Sequence, residues 1–291
     1  MIARKRCLPV GWYPQSAEKI ARFLDTVPKN PPPQAALAAV APHAGWFYSG
    51  SIAAAAVSVL DPRSDTVVLI GGHLPAGMPP LFAEEARVST PLGDVEIDGE
   101  FRDILQKELE DDVFPQGIAV DRYQDNTIEV LLPMVRYFIP HARLLWLRLP
   151  AETASFEAGK RIARIGETLG RNLGVLGSTD LTHYGDNYNF SPMGSGKQAL
   201  DWVRAVNDRT FIQVVKEGNP AKVLAKARQD KSSCSAGAVL GAMGFAQSRG
   251  AGNATLLAYG TSVDAGNEDG EIPNSFVGYA ALAWYPIAPG C

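Results

Sequence analysis

The chain is poor in the residues that usually announce a chemistry. Among its 291 residues are four histidines and three cysteines. Cys7, Cys234 and Cys291 are odd in number, far apart and without a C-x-x-C pair. That argues against a disulfide framework and predicts a reducing, cytoplasmic setting. No apolar run approaches the roughly 18 residues that a membrane span needs, so no membrane association is expected. Cys7-Leu8-Pro9-Val10-Gly11, behind the basic Arg4-Lys5-Arg6, is too brief for the core of a signal peptide. Positive charge is not in excess: the net charge is −4. No electrostatic footprint for nucleic acid is present, and Arg4-Lys5-Arg6 reads as a solvated terminus. The sequence also lacks H-E-x-x-H, G-x-S-x-G and a complete dinucleotide fingerprint, so no organic cofactor is expected. Gly194-Ser195-Gly196-Lys197 has neither the Walker spacing nor a preceding strand and reads as a flexible loop.

What is present is an ordinary globular composition, 46% hydrophobic and 20% charged, with an alternation of strand and helix patterns. Short apolar runs at Ala35–Ala41, Thr66–Ile70, Leu144–Leu149 and Leu173–Gly177 read as strands, the second a buried parallel strand stopped by Gly71-Gly72. Two short strands around a Pro/Gly turn are expected between Ala86 and Asp98. Helical spacing predicts a helix from near Ser49 through Val57, capped by Ser49 or Ser51. Others follow at Phe101–Leu109, Thr127 to about Phe138 (ended or kinked by Pro133), Glu157–Arg171, most of Gln198–Arg228, and Ala236–Gln247. Apolar strands at Thr255–Gly260 and Phe276–Trp284 close the pattern. The Pro-rich stretch Pro28–Pro33 reads as a stiff surface connector, since too little chain precedes it for a core of its own. One α/β domain follows, residues 1–291, with a central mostly parallel or mixed sheet flanked by helices.

Three of the four histidines fall where a predicted strand meets a glycine-marked loop or a helix start. They are His43 in Ala41-Pro42-His43-Ala44-Gly45, His73 in Ile70-Gly71-Gly72-His73, and His183 in Thr179-Asp180-Leu181-Thr182-His183-Tyr184-Gly185. In open α/β sheets the carboxyl ends of the strands form the rim where ligands bind. Imidazole is the commonest transition-metal ligand and the usual proton carrier near neutral pH. Each histidine taken singly also fits a ring satisfied by backbone in a turn; it is the shared placement that indicates a site.

Cys234, in Ser232-Ser233-Cys234-Ser235 before an Ala/Gly-rich helix, is expected at or near a helix N-terminus, where the thiolate is favoured. A small buried residue capping an apolar helix is the competing reading. Two imidazoles and a thiolate suit iron, copper or zinc, with a coordination position left open. Asp180, three residues before His183, is placed to orient that imidazole for acid–base work. Asp125-Asn126-Thr127-Ile128-Glu129 reads as a helix cap and first turn. His141 reads as a surface residue, and Cys7 and Cys291 as incidental.

Several of these segments together resemble the Memo-like family, also called AmmeMemoRadiSam system protein B, which is related in fold to class III extradiol dioxygenases. Gly11-Trp12-Tyr13-Pro14 resembles its opening G-x-[FW]-Y-P, Ala41–Gly45 its A-P-H-A-G, and Thr90-Pro91-Leu92-Gly93-Asp94-Val95 its T-P-L-G-x-V. Ser178–Gly185, Tyr259-Gly260-Thr261-Ser262 and Ser275–Ala280 resemble the later motifs. The resemblance implies an extradiol dioxygenase-like fold, with metal positions at His43, His73 and Cys234 and with Asp180 and His183 beside them. In the related dioxygenases a carboxylate stands where Cys234 is, and the fourth position is an acid–base histidine. The chain departs from the family where G-P-S-H-H becomes Ile70-Gly71-Gly72-His73, with Gly72 in place of a histidine. E-H-S-I-E becomes Asp125–Glu129, with Asn126 in place of another, and the glycine after the cysteine is Ser235.

The expectation is therefore a pocket that binds iron or copper, or zinc, in a dioxygenase-like oxidoreductase. His43, His73 and Cys234 would hold the ion, and Asp180 and His183 would move protons. The alternative is a non-catalytic protein that uses the same pocket for a peptide or small ligand, with companion proteins of the AmmeMemoRadiSam system as partners. A third reading, Cys/His acyl transfer, needs Cys234 and His183 within hydrogen-bond reach.

Overall fold

Val67, Val68, Leu69 and Ile70 are fully buried on alternate faces of one strand, and that double burial explains why the segment is apolar without alternation. The structure, a computed structural model, describes residues 3–27, 34–266 and 270–287; the Pro-rich connector and Cys291 lie outside them. In chain order come β1 (Ala3–Arg4), α1 (Ala17–Asp25), β2 (Ala38–Ala41), α2 (Trp46–Val57), β3 (Thr66–Leu74), β4 (Leu81–Phe82), β5 (Arg87–Val88) and β6 (Val95–Glu96). Next are α3 (Gly99–Asp112), β7 (Ala119–Val120), α4 (Asn126–Glu129), α5 (Leu132–Phe138), β8 (Arg143–Pro150), α6 (Ala154–Thr168), β9 (Leu173–Ser178) and β10 (His183–Gly185). The rest are α7 (Gly196–Trp202), α8 (Asp208–Glu217), α9 (Pro220–Asp230), α10 (Ala236–Ser248), β11 (Thr255–Thr261) and β12 (Ser275–Trp284).

The main sheet has the order β10-β12-β2-β9-β3-β8-β4-β7, with β11 also paired to β12. Its centre, β2-β9-β3-β8, is parallel, and β12 and β4 flank it antiparallel. A mixed α/β sheet with a parallel core is thus the architecture. Helices cover both faces. Val68 and Ile70 pack with residues of α6 and α10, and Val67 and Leu69 with residues of α2 and α5. Helix α10 can lie close on α6 because a Cβ at Gly159 would strike the Gly241 carbonyl. Among the described residues no helix is long and apolar enough to cross a membrane.

Three local expectations are corrected. Helix α2 starts at Trp46 with Gly45 as its cap, not near Ser49. Trp46 is pinned there by its backbone N–H on the Trp12 carbonyl at 2.8 Å and its indole N–H on the Val130 carbonyl at 2.9 Å. Strand β3 does not stop at Gly71-Gly72 but runs through them to Leu74. Those glycines serve close approach: a Cβ at Gly71 would overlap Thr127, and one at Gly72 the side chain of Ser235. The helix expected over Thr127–Phe138 is two, α4 and α5, broken at Val130-Leu131 just ahead of Pro133; Pro133 stands in the first turn of α5, where its missing N–H has no helical partner to lose.

Candidate metal centre and adjoining cleft

Sheet register sets the site. Ala41 pairs with Ser178 and Ile70 with Gly177. His43 and Asp180 therefore leave the sheet at the same level, each two residues beyond its strand's last pair, and His73 arrives beside them. The loop before α10 closes the group from the other side. The Cys234 N–H donates to the Asp180 carbonyl at 3.2 Å, and Cys234 Sγ accepts from the Asp180 N–H at 3.3 Å. As a result one ligand atom from each of His43, His73 and Cys234 lies within 4.8 Å of the others.

His43 is 1% exposed and held on every side. Its N–H donates to Asp180 Oδ1 at 2.7 Å, Nδ1 meets Ser178 Oγ at 2.8 Å, and Nε2 lies 3.2 Å from Cys234 Sγ. Asn126 donates its amide to the His43 carbonyl at 2.9 Å. Burial alone would depress the imidazole's pKa, but the charges of Asp180 and Cys234 raise it.

His73 stands edge-on to His43, ring centres 4.9 Å apart. Its φ of +57° is a left-handed conformation rare for residues with a side chain, and its N–H is caught by Ser235 Oγ at 3.2 Å. Nδ1 donates to Asp125 Oδ2 at 3.0 Å, since a carboxylate only accepts. The Asp125 carboxylate also meets Arg148 Nη2 at 3.2 Å, and Arg148 Nη1 meets Asp121 at 3.3 Å. Despite burial, Asp125 and the Cys234 thiolate push His73 up to about 10. Burial works against the Asp125 carboxylate as well, yet His73 and Arg148 hold it well below the usual range.

Cys234 sits just ahead of the α10 cap, Ser235. Burial would raise its thiol, but the charge and hydrogen bonds of His43 and His73 outweigh that and hold it well below the ordinary value.

The expected Asp180–His183 hydrogen bond is not made: Asp180 Oδ1 holds the His43 backbone, while His183 Nδ1 meets the Leu181 carbonyl at 3.2 Å. A carbonyl only accepts, so Nδ1 carries the proton and Nε2 of the neutral ring is the acceptor. His183 Nδ1 reaches back to the carbonyl two residues before it, while Asp180 stays among His43 and Cys234. Cys234 pairs with His43 rather than His183, so the pairing that Cys/His acyl transfer needs is not made. Asp180 and His183 do share one cleft of ≈ 630 Å³, walled also by Trp12, Tyr48, Tyr188 and Tyr279.

Sequence reasoning missed four residues. Asp125 is the α4 cap, as expected, and it also holds His73. Arg148 and Asp121 stand behind it. Glu129, buried, accepts from the Cys7 N–H, Cys7 Sγ, the Leu8 N–H and Tyr13 Oη at 2.7–3.0 Å. It thereby ties down the segment that carries Trp12 to the cleft, so Cys7 is not incidental. A lone arginine inside an apolar strand was the one available signal for Arg148.

The chain is 27% identical over 303 residues to a MEMO1 family protein of Pyrobaculum arsenaticum, covering 98% of this chain and 100% of that protein. It is 30% identical over 249 residues to a MEMO1 family protein of Methanosarcina barkeri, covering 84% and 85%. A solved structure, the uncharacterized protein JW3007 from Escherichia coli K12, overlaps with a TM-score of 0.49 at 11% identity, covering 84% of this chain and 98% of that one. That likeness is too loose to bear on function. The Memo-like protein model matches residues 6–283, and with the archaeal relatives it establishes that this chain belongs to the Memo-like protein family.

Proposed function

We propose that His43, His73 and Cys234 hold one transition-metal ion, and that the adjoining cleft receives the small molecule or peptide on which a dioxygenase-like oxidoreductase acts. The observation that carries this reading is the convergence of two imidazoles and a thiolate within 4.8 Å. Ser178 faces Nδ1 of His43 and Asp125 holds Nδ1 of His73, so Nε2 of each ring is the coordinating atom. An N,N,S donor set fits iron, copper or zinc and offers too few oxygens for magnesium or calcium. Bound iron or copper would supply one-electron chemistry, and zinc Lewis acidity. The chain's own part is to orient the donors through Asp125, Ser178 and Asp180, and to accept a proton from the cleft's occupant at His183 Nε2. Its free thiols suit a cytoplasmic setting, and companion proteins of the AmmeMemoRadiSam system are the proposed partners.

A second reading, a binding protein without turnover, draws on Asn126. It stands where the family has a histidine, and it spends its amide on the His43 carbonyl. The two readings separate on protein purified anaerobically without a metal-affinity tag and reconstituted with iron, copper or zinc. His43→Ala and His73→Ala should each abolish stoichiometric uptake, and His183→Ala should keep the metal but lose turnover. A parent protein that takes up none of the three ions would contradict the first reading.

A further inference from the structure

The cleft beside the triad has a one-sided chemistry. Five aromatic residues contribute to its walls: Trp12, Tyr48, Tyr188, Phe276 and Tyr279. Two of them, Tyr48 and Tyr188, remain 49% and 39% exposed around this one opening, where large apolar side chains gathered together mark a contact surface. No hydrogen-bond partner for either hydroxyl is found among the described residues, so both are available to a ligand. His183 is set against Tyr188, ring centres 4.8 Å apart, and offers Nε2 as an acceptor.

Equally informative is what does not line it. Neither lysine nor arginine is among the lining residues; the ionisable groups other than the phenols are Asp180 and His183. A carboxylate or phosphate entering here would leave water for a wall that offers it no lysine or arginine. Recognition of such anions elsewhere relies on arginine forks, lysines or clustered backbone N–H groups. An aromatic ring, by contrast, finds π faces for offset or edge contact, with neutral hydroxyls to fix its orientation.

We propose that the cleft selects an uncharged aromatic ligand, one that carries neutral hydrogen-bonding substituents, and discriminates against aromatic anions of the same shape. This rests on the reading that the cleft beside the triad is the functional pocket, and it deepens that reading by naming the class of its occupant.

The test uses matched probes on the full chain after chelator treatment, so that failure of the metal assignment does not decide it. Phenylacetamide and phenylacetate differ in charge at nearly constant shape. Cyclohexylacetamide removes the ring's π face, and phenethylamine supplies a cation. Ligand-observed NMR titration should show phenylacetamide binding at least ~10-fold tighter than phenylacetate, with cyclohexylacetamide also weaker. Tyr188→Leu, checked for an unchanged melting temperature, should weaken phenylacetamide. Phenylacetate binding as tightly as the amide, phenethylamine binding more tightly, or cyclohexylacetamide matching it would each overturn the proposal. So would the absence of phenylacetamide binding.

Discussion

Nε2 of His43 lies 3.2 Å from Sγ of Cys234, on the ring edge opposite the Nδ1 that Ser178 Oγ meets at 2.8 Å. The two residues come from segments 191 positions apart in the chain. They meet because parallel register brings His43 and Asp180 to one level and Asp180 then clips the Cys234 backbone in place. The site is therefore a product of sheet register as much as of ligand identity.

Asp125 is the outer partner of a proposed ligand, with a carboxylate held by Arg148. Asp125→Asn keeps the size of the cap but lets the His73 ring turn or change tautomer. Metal affinity, read by chelator competition, should fall ~10–100-fold. An unchanged affinity would reduce Asp125 to a helix cap.

That residue also shows where sequence reasoning stopped. His43, His73, Cys234 and the cleft pair Asp180 and His183 were legible as candidates, because apolar runs bounded by glycine or proline mark strands and ligand-type residues lie close by; the end of β3 was not, since that strand runs through Gly71-Gly72 to Leu74. Nor were the outer partners. Asp125 already had a sufficient local explanation as a cap, and nothing in spacing reveals that Arg148, on β8 beyond α4 and α5, reaches the same carboxylate. The start of α2 was misplaced because Gly45 caps through backbone alone and Trp46 is fixed by residues distant in sequence.

Gly72 and Ser235 are linked sterically: Ser235 fills the room that a side chain at position 72 would need. Gly72→Ala should destabilise the protein by about 1–3 kcal/mol through overpacking. Ser235→Gly in the same chain should recover much of that loss, at the cost of the hydrogen bond to the His73 N–H. A double-mutant cycle in urea should show a coupling of about 0.5–3 kcal/mol. Strict additivity would refute the steric link.

Glu129 gathers four donors from the segment that leads to Trp12. Glu129→Ala leaves those donors without their acceptor, and stability should drop by about 2–4 kcal/mol in urea denaturation. Phenylacetamide affinity should weaken alongside, since Trp12 forms part of the cleft wall. A loss below ~0.5 kcal/mol would show the segment to be held by other means.

Asp208 is fully buried. It accepts from the Thr182 N–H and hydroxyl and from Tyr259 Oη. Burial pushes its carboxyl from 3.8 up to about 6, although these hydrogen bonds favour the charged form. The folded state then binds more proton than the unfolded state between those values, so stability falls as pH rises from about 4 to 6,. Asp208→Asn removes that slope. The melting temperature of the variant relative to the parent should rise between pH 4 and 7, by the equivalent of about 2–3 kcal/mol at most. A constant difference across that range would show that Asp208 titrates normally.

The most direct test of the metal assignment is X-ray absorption at the metal edge, on protein loaded anaerobically with one equivalent of zinc. The account predicts one sulfur scatterer near ~2.3 Å and imidazole nitrogens near ~2.0–2.1 Å, with the sulfur lost in Cys234→Ala and no stoichiometric zinc retained by His73→Ala. A first shell of nitrogen and oxygen alone, unchanged by Cys234→Ala, would contradict it.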